Sequence, residues 1–533
     1  MKKIHLILIY VFATSCELVS SNHWKWSKHT ISKEGYNFKS EKFQKFSTDF
    51  DYAKLETAKI NLRTSINSNS SLSTIKSNYE KFVKLHNKLD GIYPFVMTNY
   101  YGEPVTYKEA YMRIVSVYND DLTFNNEMLR LAATKGDDVK KYFFGTTDST
   151  EIAKQLAGGE TPEKAELSFR MTQLEDEMMN LTAQGNRDEE YVETSCDIYS
   201  EYAEIANEYA VLCGYSNYPE YAYKNVYARD YTPAQALSLA NMIENSLGSV
   251  VGGFVNYFED GYNGNYLYEL LYGQFNGTKY DIGGLMDDYA EFLGDKYLKM
   301  YDHLWSDGYY YFSDNENSLG TAYVTSAPVV NDHIAFFSKD NQNMLAITHE
   351  FGHYFALQSE SKNNYCSYDI LETHSQGNEY TMLNYLQSKK GGATLKTLAN
   401  YKVYEALLYL VEFAFITKVE NYVYSYEYLT ANQIHDYIEN LTSEFASKGL
   451  MVSPGYWCYA CVASSCYYIS YATSLLESVQ FLTMSINDAK KAYVDFCLDN
   501  ITTGSVAKWK KAGLTSPFEQ QTIDKLVNYC NAM

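Results

Sequence analysis

The chain has 533 residues, and 46% of them are hydrophobic, so it is a globular protein with more than one small core and not a disordered chain. Its formal net charge of −22 argues against nucleic-acid binding, because phosphate contacts need clustered Lys and Arg. It has only 8 prolines, and apolar residues recur at spacings of three and four, which predicts a mainly α-helical fold.

Residues 1–21 have the layout of a secretory signal peptide. Two lysines precede an apolar run from Ile4 to about Ala13, which is too short to span a bilayer, and small residues follow. Cleavage just before Cys16 would leave a cysteine that can carry a lipid, as in bacterial lipoproteins, and ordinary secretion is the alternative. We expect an exported protein, extracellular or anchored to the outer face of the cell through Cys16 alone.

Polar residues dominate residues 22–70, which predicts a tether leading into the folded part of the chain. Further on, residues 305–340 lack a helical period and combine turn residues with β-branched and aromatic runs, which predicts a short sheet or hairpin. Three capping residues followed three positions later by Gln or Glu predict helix starts. These pairs are Thr232 with Gln235, Thr430 with Gln433, and Ser516 with Glu519.

The stretch THEFGHY carries the pattern with the clearest chemistry. On a helix, His349 and His353 project from one face one turn apart and can bind the same zinc ion, with Glu350 leaning to the same side. The flanks are apolar, so three polar side chains would be costly to bury there unless they bound or paired with something. Gly352 weakens the helix, which indicates a close approach of another backbone.

A catalytic zinc site needs a third protein ligand and one open position. The segment YDILETHSQGNEYTMLNYL follows the first helix and has helical periodicity in its second half. Glu372 and His374 are the candidates for the third ligand within it. Glu379 lies two turns after Glu372 on the same helix face and could orient a ligand histidine through a hydrogen bond.

HEFGH and DILETHSQGNE resemble the zinc-binding signature of the thimet oligopeptidase and oligoendopeptidase F family of metallopeptidases. GTAYVTSAPVVNDHIAFF, CYYISYATSLLES and KKAGLTSPFEQ resemble further segments of that family. The resemblance implies that His349, His353 and Glu372 bind one zinc ion and that Glu350 is the general base for hydrolysis of short, unfolded peptides.

The resemblance also implies an architecture. It is a large multi-helical zincin-type peptidase with a small β-sheet beside the HExxH helix and two helical lobes around a channel. Residues 71–194 would form the N-terminal helical lobe and residues 195–533 the catalytic domain.

One departure concerns the oxygen that becomes negatively charged during hydrolysis. The family has a histidine before its tyrosine-rich helix, and here Tyr459 or Cys461 occupies that place. By resemblance, Tyr471 with Tyr468 or Tyr467 would donate hydrogen bonds to this oxygen. Two alternatives therefore stay open: a catalytically weak or silent relative that binds peptides as a lipoprotein, and a surface lipoprotein whose HExxH is coincidental.

Overall fold

The computed structural model confirms a mainly α-helical protein with a small sheet. It describes residues 38–45, 50–157, 162–183, 188–252, 274–275, 278–279, 282–319, 321–359, 367–390, 393–452, 455–499 and 504–532. The predicted signal peptide and Cys16 lie outside these residues. Among the described helices, none has the length and apolar character that crossing a membrane requires.

The chain forms two compact units. The first consists of Lys33–Ala165 and Asp302–Gln342, and the second contains Glu166–Tyr301 and Asn343–Met533. This division differs from the predicted boundary at residue 194, which falls inside the helix Glu189–Leu212. The segment with the predicted sheet belongs to the first unit, so the second unit is built from two separate stretches of chain.

Six helices begin the first unit; the last five share one buried apolar core, whereas Phe43 of the first packs with the sheet. They are α1 Glu41–Lys45, α2 Tyr52–Asn67, α3 Leu72–Gly102, α4 Pro104–Ala133, α5 Asp137–Phe144 and α6 Ser149–Ala157. Helix α2 lies within the predicted tether, but Leu55, Leu62 and Ile66 are fully buried in this core. The prediction of a tether is therefore wrong for this part, because apolar side chains at helical spacing pack against the neighbouring helices.

The predicted sheet is present. The described strands are β1 Phe38–Lys39, β2 Gln274–Phe275, β3 Thr278–Lys279, β4 Tyr309–Phe312, β5 Ala322–Ala327 and β6 Asp332–Phe337. In the larger sheet, of order β1-β4-β6-β5, β5 and β6 form an antiparallel hairpin and β6 pairs with β4 in parallel. Ile334 and Phe336 of β6 pack with Phe95 of α3, which gives the sheet its buried face.

The remaining described helices belong to the second unit, except that the first turn of α7 and the last residues of α12 belong to the first unit. They are α7 Pro162–Ala183, α8 Glu189–Leu212, α9 Tyr218–Asn225, α10 Pro233–Ser246, α11 Ile282–Leu293, α12 Asp295–Ser306, α13 Met344–Ser359, α14 Tyr368–Tyr385, α15 Ala393–Val423, α16 Ala431–Ser447, α17 Tyr456–Ala463, α18 Ile469–Thr483, α19 Ile486–Leu498, α20 Ser505–Lys511 and α21 Gln520–Asn531. Helix α14 is central, because it packs against both α13 and α18.

Two of the three predicted helix starts are confirmed. Thr232 and Thr430 each accept a hydrogen bond from the backbone N–H three residues later, and the Gln at that position completes a capping box. The start predicted at Ser516 is wrong, since the helix begins at Gln520. The carbonyl oxygen of Ser516 instead accepts a hydrogen bond from the Thr522 hydroxyl at 2.6 Å. This bond holds the residues just before the helix in a turn.

Candidate metal centre

Helices α13 and α14 cross at Gly352. A Cβ atom at this position would press against the carbonyl oxygen of His374 and lie 2.8 Å from the Cα atom of Ser375. Only glycine fits there, because any side chain would push the two backbones apart. The close backbone approach that the sequence indicated is therefore present, and it brings the HEFGH helix directly onto the acidic one.

Asn378 fixes the two helices in register. Its Nδ2 donates a hydrogen bond to the carbonyl oxygen of Thr348 at 2.7 Å, next to the first motif histidine. Its Oδ1 accepts hydrogen bonds from the hydroxyls of Tyr289 at 2.9 Å and Tyr297 at 3.2 Å. All four side chains are buried, so this network is costly to break and holds the ligand-bearing turns at one level.

His349, His353 and Glu372 come together as predicted for a metal site. One ligand atom from each lies within 4.8 Å of the others. Glu372 Oε2 is 3.8 Å from His349 Nε2 and 4.0 Å from His353 Nε2. Zinc–ligand bonds of about 2.1 Å in a tetrahedron place ligand atoms about 3.4 Å apart, so only a small contraction is needed. Two imidazoles with one carboxylate form a donor set that catalytic zinc sites use.

His374, the rival third ligand, lies elsewhere. Its side chain is fully buried, its Nε2 is 3.3 Å from Lys508 Nζ, and its ring packs on Phe496. It follows Glu372 by two positions, which turns it about 200° around the helix. The geometry therefore assigns the third position to Glu372.

Glu379 contacts the first histidine, as its spacing predicted. Its Oε1 lies 2.8 Å from His349 Nδ1, which leaves Nε2 of that ring directed at Glu372. Burial favours a protonated Glu379, but Lys402 and His349 together hold the pKa of its carboxyl below the usual value. The carboxylate therefore accepts the Nδ1 proton and fixes the tautomer of His349.

The charges of the site are suited to a cation. Burial lowers the pKa of His353 well below its usual value, as does its neighbour His349, so its nitrogen is free to bind. Burial acts in the same direction on His349, but the bond to Glu379 and the carboxylates of Glu350 and Glu372 raise its pKa to about 9. At neutral pH a proton on His349 therefore stands where a metal cation would bind.

This arrangement predicts how zinc affinity depends on pH. Since the pKa of His349 is about 9 without metal, zinc must displace one proton at neutral pH. The affinity should rise about tenfold per pH unit from about 7.5 and level off above pH 9. Calorimetric titrations in buffers of different ionisation enthalpy measure the released protons. Release of no proton at pH 7.5 would contradict the prediction.

Glu350 is poised to accept a proton. Its side chain is 5% exposed, and burial, together with the nearby Glu372 and Glu379, raises the pKa of its carboxyl to about 7 against the opposing effect of His349. Its Oε2 has no hydrogen-bond partner in the described part of the chain. A carboxyl with a pKa near neutrality and a free oxygen beside a metal site has the properties of a general base.

Of the two candidates for the second tyrosine, Tyr468 and Tyr467, the structure brings Tyr467 into contact with a metal-ligand candidate. The hydroxyl of Tyr467 donates a hydrogen bond to Glu372 Oε1 at 3.0 Å, and its oxygen lies 3.1 Å from that of Tyr471. Tyr468 shares a hydrogen bond with the side chain of Tyr456, and its ring packs against Phe413, as the ring of Tyr471 also does. The hydrogen bond to Glu372 therefore places Tyr467, with Tyr471, beside the metal ligands.

Of the two residues in the place of the missing histidine, Cys461 is fully buried. It lies beside Tyr199 and Glu420, and burial raises the pKa of its thiol well above the usual value. Tyr459 is half-buried. It lies close to Tyr468, whose hydroxyl has a raised pKa mainly because of burial and in part because of Tyr459. Cys461 is therefore a packed core residue.

A buried arginine that sequence reasoning missed positions the site tyrosine. Arg229 Nη2 donates hydrogen bonds to the carbonyl oxygen of Tyr467 at 3.1 Å and to Ser470 Oγ at 2.7 Å. Asp369 faces the guanidinium at 3.5 Å and accepts a hydrogen bond from Tyr231 at 2.7 Å. Tyr467 lies 238 residues from Arg229, and Asp369 lies 138 residues from Tyr231. No local sequence pattern therefore indicates these contacts.

Comparison with known proteins gives matches only among solved structures, since no family model and no curated protein matches. PZ peptidase A, solved with an inhibitor, is 14% identical with a TM-score of 0.66 over 92% of this chain and 99% of that chain. A protein described as oligoendopeptidase F is 15% identical with a TM-score of 0.65, over 92% and 98%. Oligoendopeptidase F from Enterococcus faecium is 11% identical with a TM-score of 0.56, over 90% and 96%.

At these identities the likeness concerns the fold, and it covers at least 90% of this chain in each case. The helices and the sheet described above are thus arranged as in those peptidases. The resemblance that HEFGH and DILETHSQGNE indicated is confirmed at the level of the fold. This chain has the fold of the oligoendopeptidase F-type peptidases.

Proposed function

We propose that this protein is a zinc-dependent metallopeptidase that hydrolyses short, unfolded peptides. The observation that carries the proposal is the meeting of His349, His353 and Glu372 within 4.8 Å. Glu350, beside them in sequence, keeps one carboxylate oxygen without a partner among the described residues. A coincidental motif would give no reason for the third ligand and the free oxygen to occur at the same place.

The donor set favours zinc over harder cations. Two imidazole nitrogens and one carboxylate suit zinc, whereas calcium and magnesium take oxygen ligands. When bound, zinc would supply Lewis-acid chemistry, which makes water acidic near neutral pH and polarises a peptide carbonyl. His353 is neutral and can offer a nitrogen directly, whereas His349, with its Nδ1 on Glu379, can offer Nε2 once that nitrogen has lost its proton.

The chain's own residues divide the remaining work. Glu350 takes the proton from the attacking water and passes it to the nitrogen of the leaving amine, which a carboxyl of pKa about 7 can do in both directions. Tyr467 donates its one hydroxyl proton to Glu372, so Tyr471, whose hydroxyl oxygen lies 3.1 Å from that of Tyr467, would donate the hydrogen bond where the carbonyl oxygen gains negative charge. Burial raises the pKa of Tyr471 well above its usual value, so its hydroxyl stays protonated.

The tyrosine assignment makes a prediction about rate. Tyr471→Phe removes one hydrogen-bond donor and should lower kcat/KM about a hundredfold, the usual effect of losing such a donor. Zinc content should not change, because Tyr471 is not a ligand. Tyr468→Phe serves as the control, since the hydroxyl of Tyr468 shares a hydrogen bond with Tyr456, and this variant should keep parent activity. Equal losses in both variants would place Tyr468 at the site and overturn the assignment.

Cleavage of a peptide mixture tests the proposal. Purified protein is incubated with peptides of graded length, before and after zinc is removed with a chelator and restored, and the products are identified by mass spectrometry. We expect cleavage of short peptides only, lost with zinc and recovered with it. One zinc per chain without cleavage would favour the peptide-binding lipoprotein, and no zinc would favour a coincidental motif.

We also propose that the protein is exported. The support comes from the two lysines, the apolar run and the small residues before Cys16. Mass spectrometry of the N-terminus, after separation of membrane and extracellular fractions, tests this. An acylated Cys16 indicates a lipoprotein and an unmodified mature N-terminus near Cys16 indicates secretion, whereas an intact Met1 would contradict export.

A further inference from the structure

A lysine on a third helix lies two contacts away from the metal site. Lys402 belongs to α15, and its Nζ is 3.2 Å from Glu379 Oε2. The other oxygen of that carboxylate, Oε1, is 2.8 Å from His349 Nδ1. Both oxygens of Glu379 are thus engaged, one by the lysine and one by the histidine. Any rotation of this carboxylate would break one of the two contacts.

Lys402 is itself held in place from two sides. Its ammonium group also pairs with the carboxylate of Glu405, one turn later on the same helix. Its carbonyl oxygen accepts a hydrogen bond at 3.1 Å from the hydroxyl of Tyr380, which follows Glu379 in α14. The side chains of Lys402 and Glu379 are 17% and 9% exposed. Little water therefore competes for these contacts, and they fix the distance between α14 and α15 at this point.

We propose that Lys402 is a positioning residue of the metal centre. It holds Glu379 in the one orientation that accepts the Nδ1 proton of His349, so that Nε2 of the ring faces Glu372 and the ion. When the second nitrogen of a metal-ligating histidine loses its hydrogen-bond partner, metal affinity typically falls about 10- to 100-fold. This inference rests on the proposed function only in that the site binds zinc, and it does not require that the protein cleaves peptides.

The alternative is that Lys402 only stabilises the fold, as buried ion pairs elsewhere do. The same helix offers a matched control. Lys418 lies 16 residues further on, about 24 Å along the helix axis. It pairs with the buried Glu244, which Lys448 also contacts, so Glu244 keeps a partner when Lys418 is replaced. Lys418→Met thus removes a comparable ion pair from α15 without touching the chain of contacts to His349.

The experiment measures metal binding on the purified full chain. Zinc affinity is determined by competition with a chromophoric chelator for the parent, Lys402→Met, Lys402→Gln, Lys402→Arg and Lys418→Met. Visible spectra of the cobalt(II)-substituted proteins report the geometry of the ligands. Thermal melting without metal shows that each variant is folded, and Lys402→Gln replaces Lys402→Met if the latter is not. No peptide substrate is involved, so an inactive parent does not affect the test.

We expect Lys402→Met to bind zinc at least about tenfold more weakly and to alter the cobalt spectrum. Lys402→Arg restores a charged donor and should recover much of the affinity, and Lys418→Met should match the parent in both measurements. Parent affinity and spectrum in both uncharged Lys402 variants would overturn the inference. So would an equal loss in Lys418→Met, or a loss in Lys402→Arg as large as that in Lys402→Gln.

Discussion

Replacing Glu350 by Gln should abolish most peptide hydrolysis while leaving the metal bound. The amide has nearly the shape of the carboxyl but cannot accept a proton, and general base catalysis typically contributes a factor of about a hundred to ten thousand. We therefore expect kcat/KM to fall at least about a hundredfold. Zinc content, measured on the same preparation, should stay at one ion per chain, because His349, His353 and Glu372 are unchanged.

A matched control exists in another buried carboxyl. Glu477 is fully buried, and burial raises the pKa of its carboxyl well above the usual value. Gln480 donates a hydrogen bond to it at 3.0 Å. Glu477→Gln should therefore keep parent activity. The loss in Glu350→Gln should be at least about a hundredfold. If this variant instead retains more than about a tenth of the parent kcat/KM, Glu350 is not the general base.

Replacing Glu372 by Gln should remove the metal itself. The change leaves two histidines without the negative charge that completes the donor set, so the affinity for zinc should fall by more than the roughly hundredfold cost of losing a partner behind a ligand. The protein as purified should then contain little zinc, and peptide hydrolysis should be lost with it. Elemental analysis and chelator competition measure both quantities directly.

The control for this prediction is the rival ligand. His374 faces Lys508 at 3.3 Å and is fully buried, so His374→Gln changes core packing and leaves the metal ligands in place. It should lower the melting temperature but keep one zinc per chain. Loss of zinc in His374→Gln with retention in Glu372→Gln would reverse the assignment of the third ligand.

Much of the site was predictable because its chemistry is local. The positions of His349 and His353 four residues apart place both rings on one helix face whatever the rest of the fold does. The same reasoning placed Glu379 on the face of Glu372, and it contacts His349 at 2.8 Å. Gly352 was identifiable for a similar reason, since a glycine inside an apolar helix indicates a close approach.

The failures come from contacts that the short patterns do not show. Helix α2 carries Leu55, Leu62 and Ile66 at helical spacing, but the polar residues around them concealed a face that becomes a core only against other helices. At Ser516 the competing contact is local, because the backbone N–H of Glu519, which a cap would bond to the Ser516 hydroxyl, donates to the Ser516 carbonyl oxygen at 3.1 Å. A short pattern loses where another contact satisfies the same backbone group.

The sequence by itself determined which residues can bind a metal ion and accept a proton from water. These are His349, Glu350, His353 and a downstream acid. Only the tertiary structure decided between Glu372 and His374, and between Tyr467 and Tyr468, because these choices depend on which face of α14 meets α13 and how the chain turns before α18. It also brought Lys402 to Glu379. Helical periodicity fixes which side chains share a face, whereas the neighbour that each face meets is set by long-range packing.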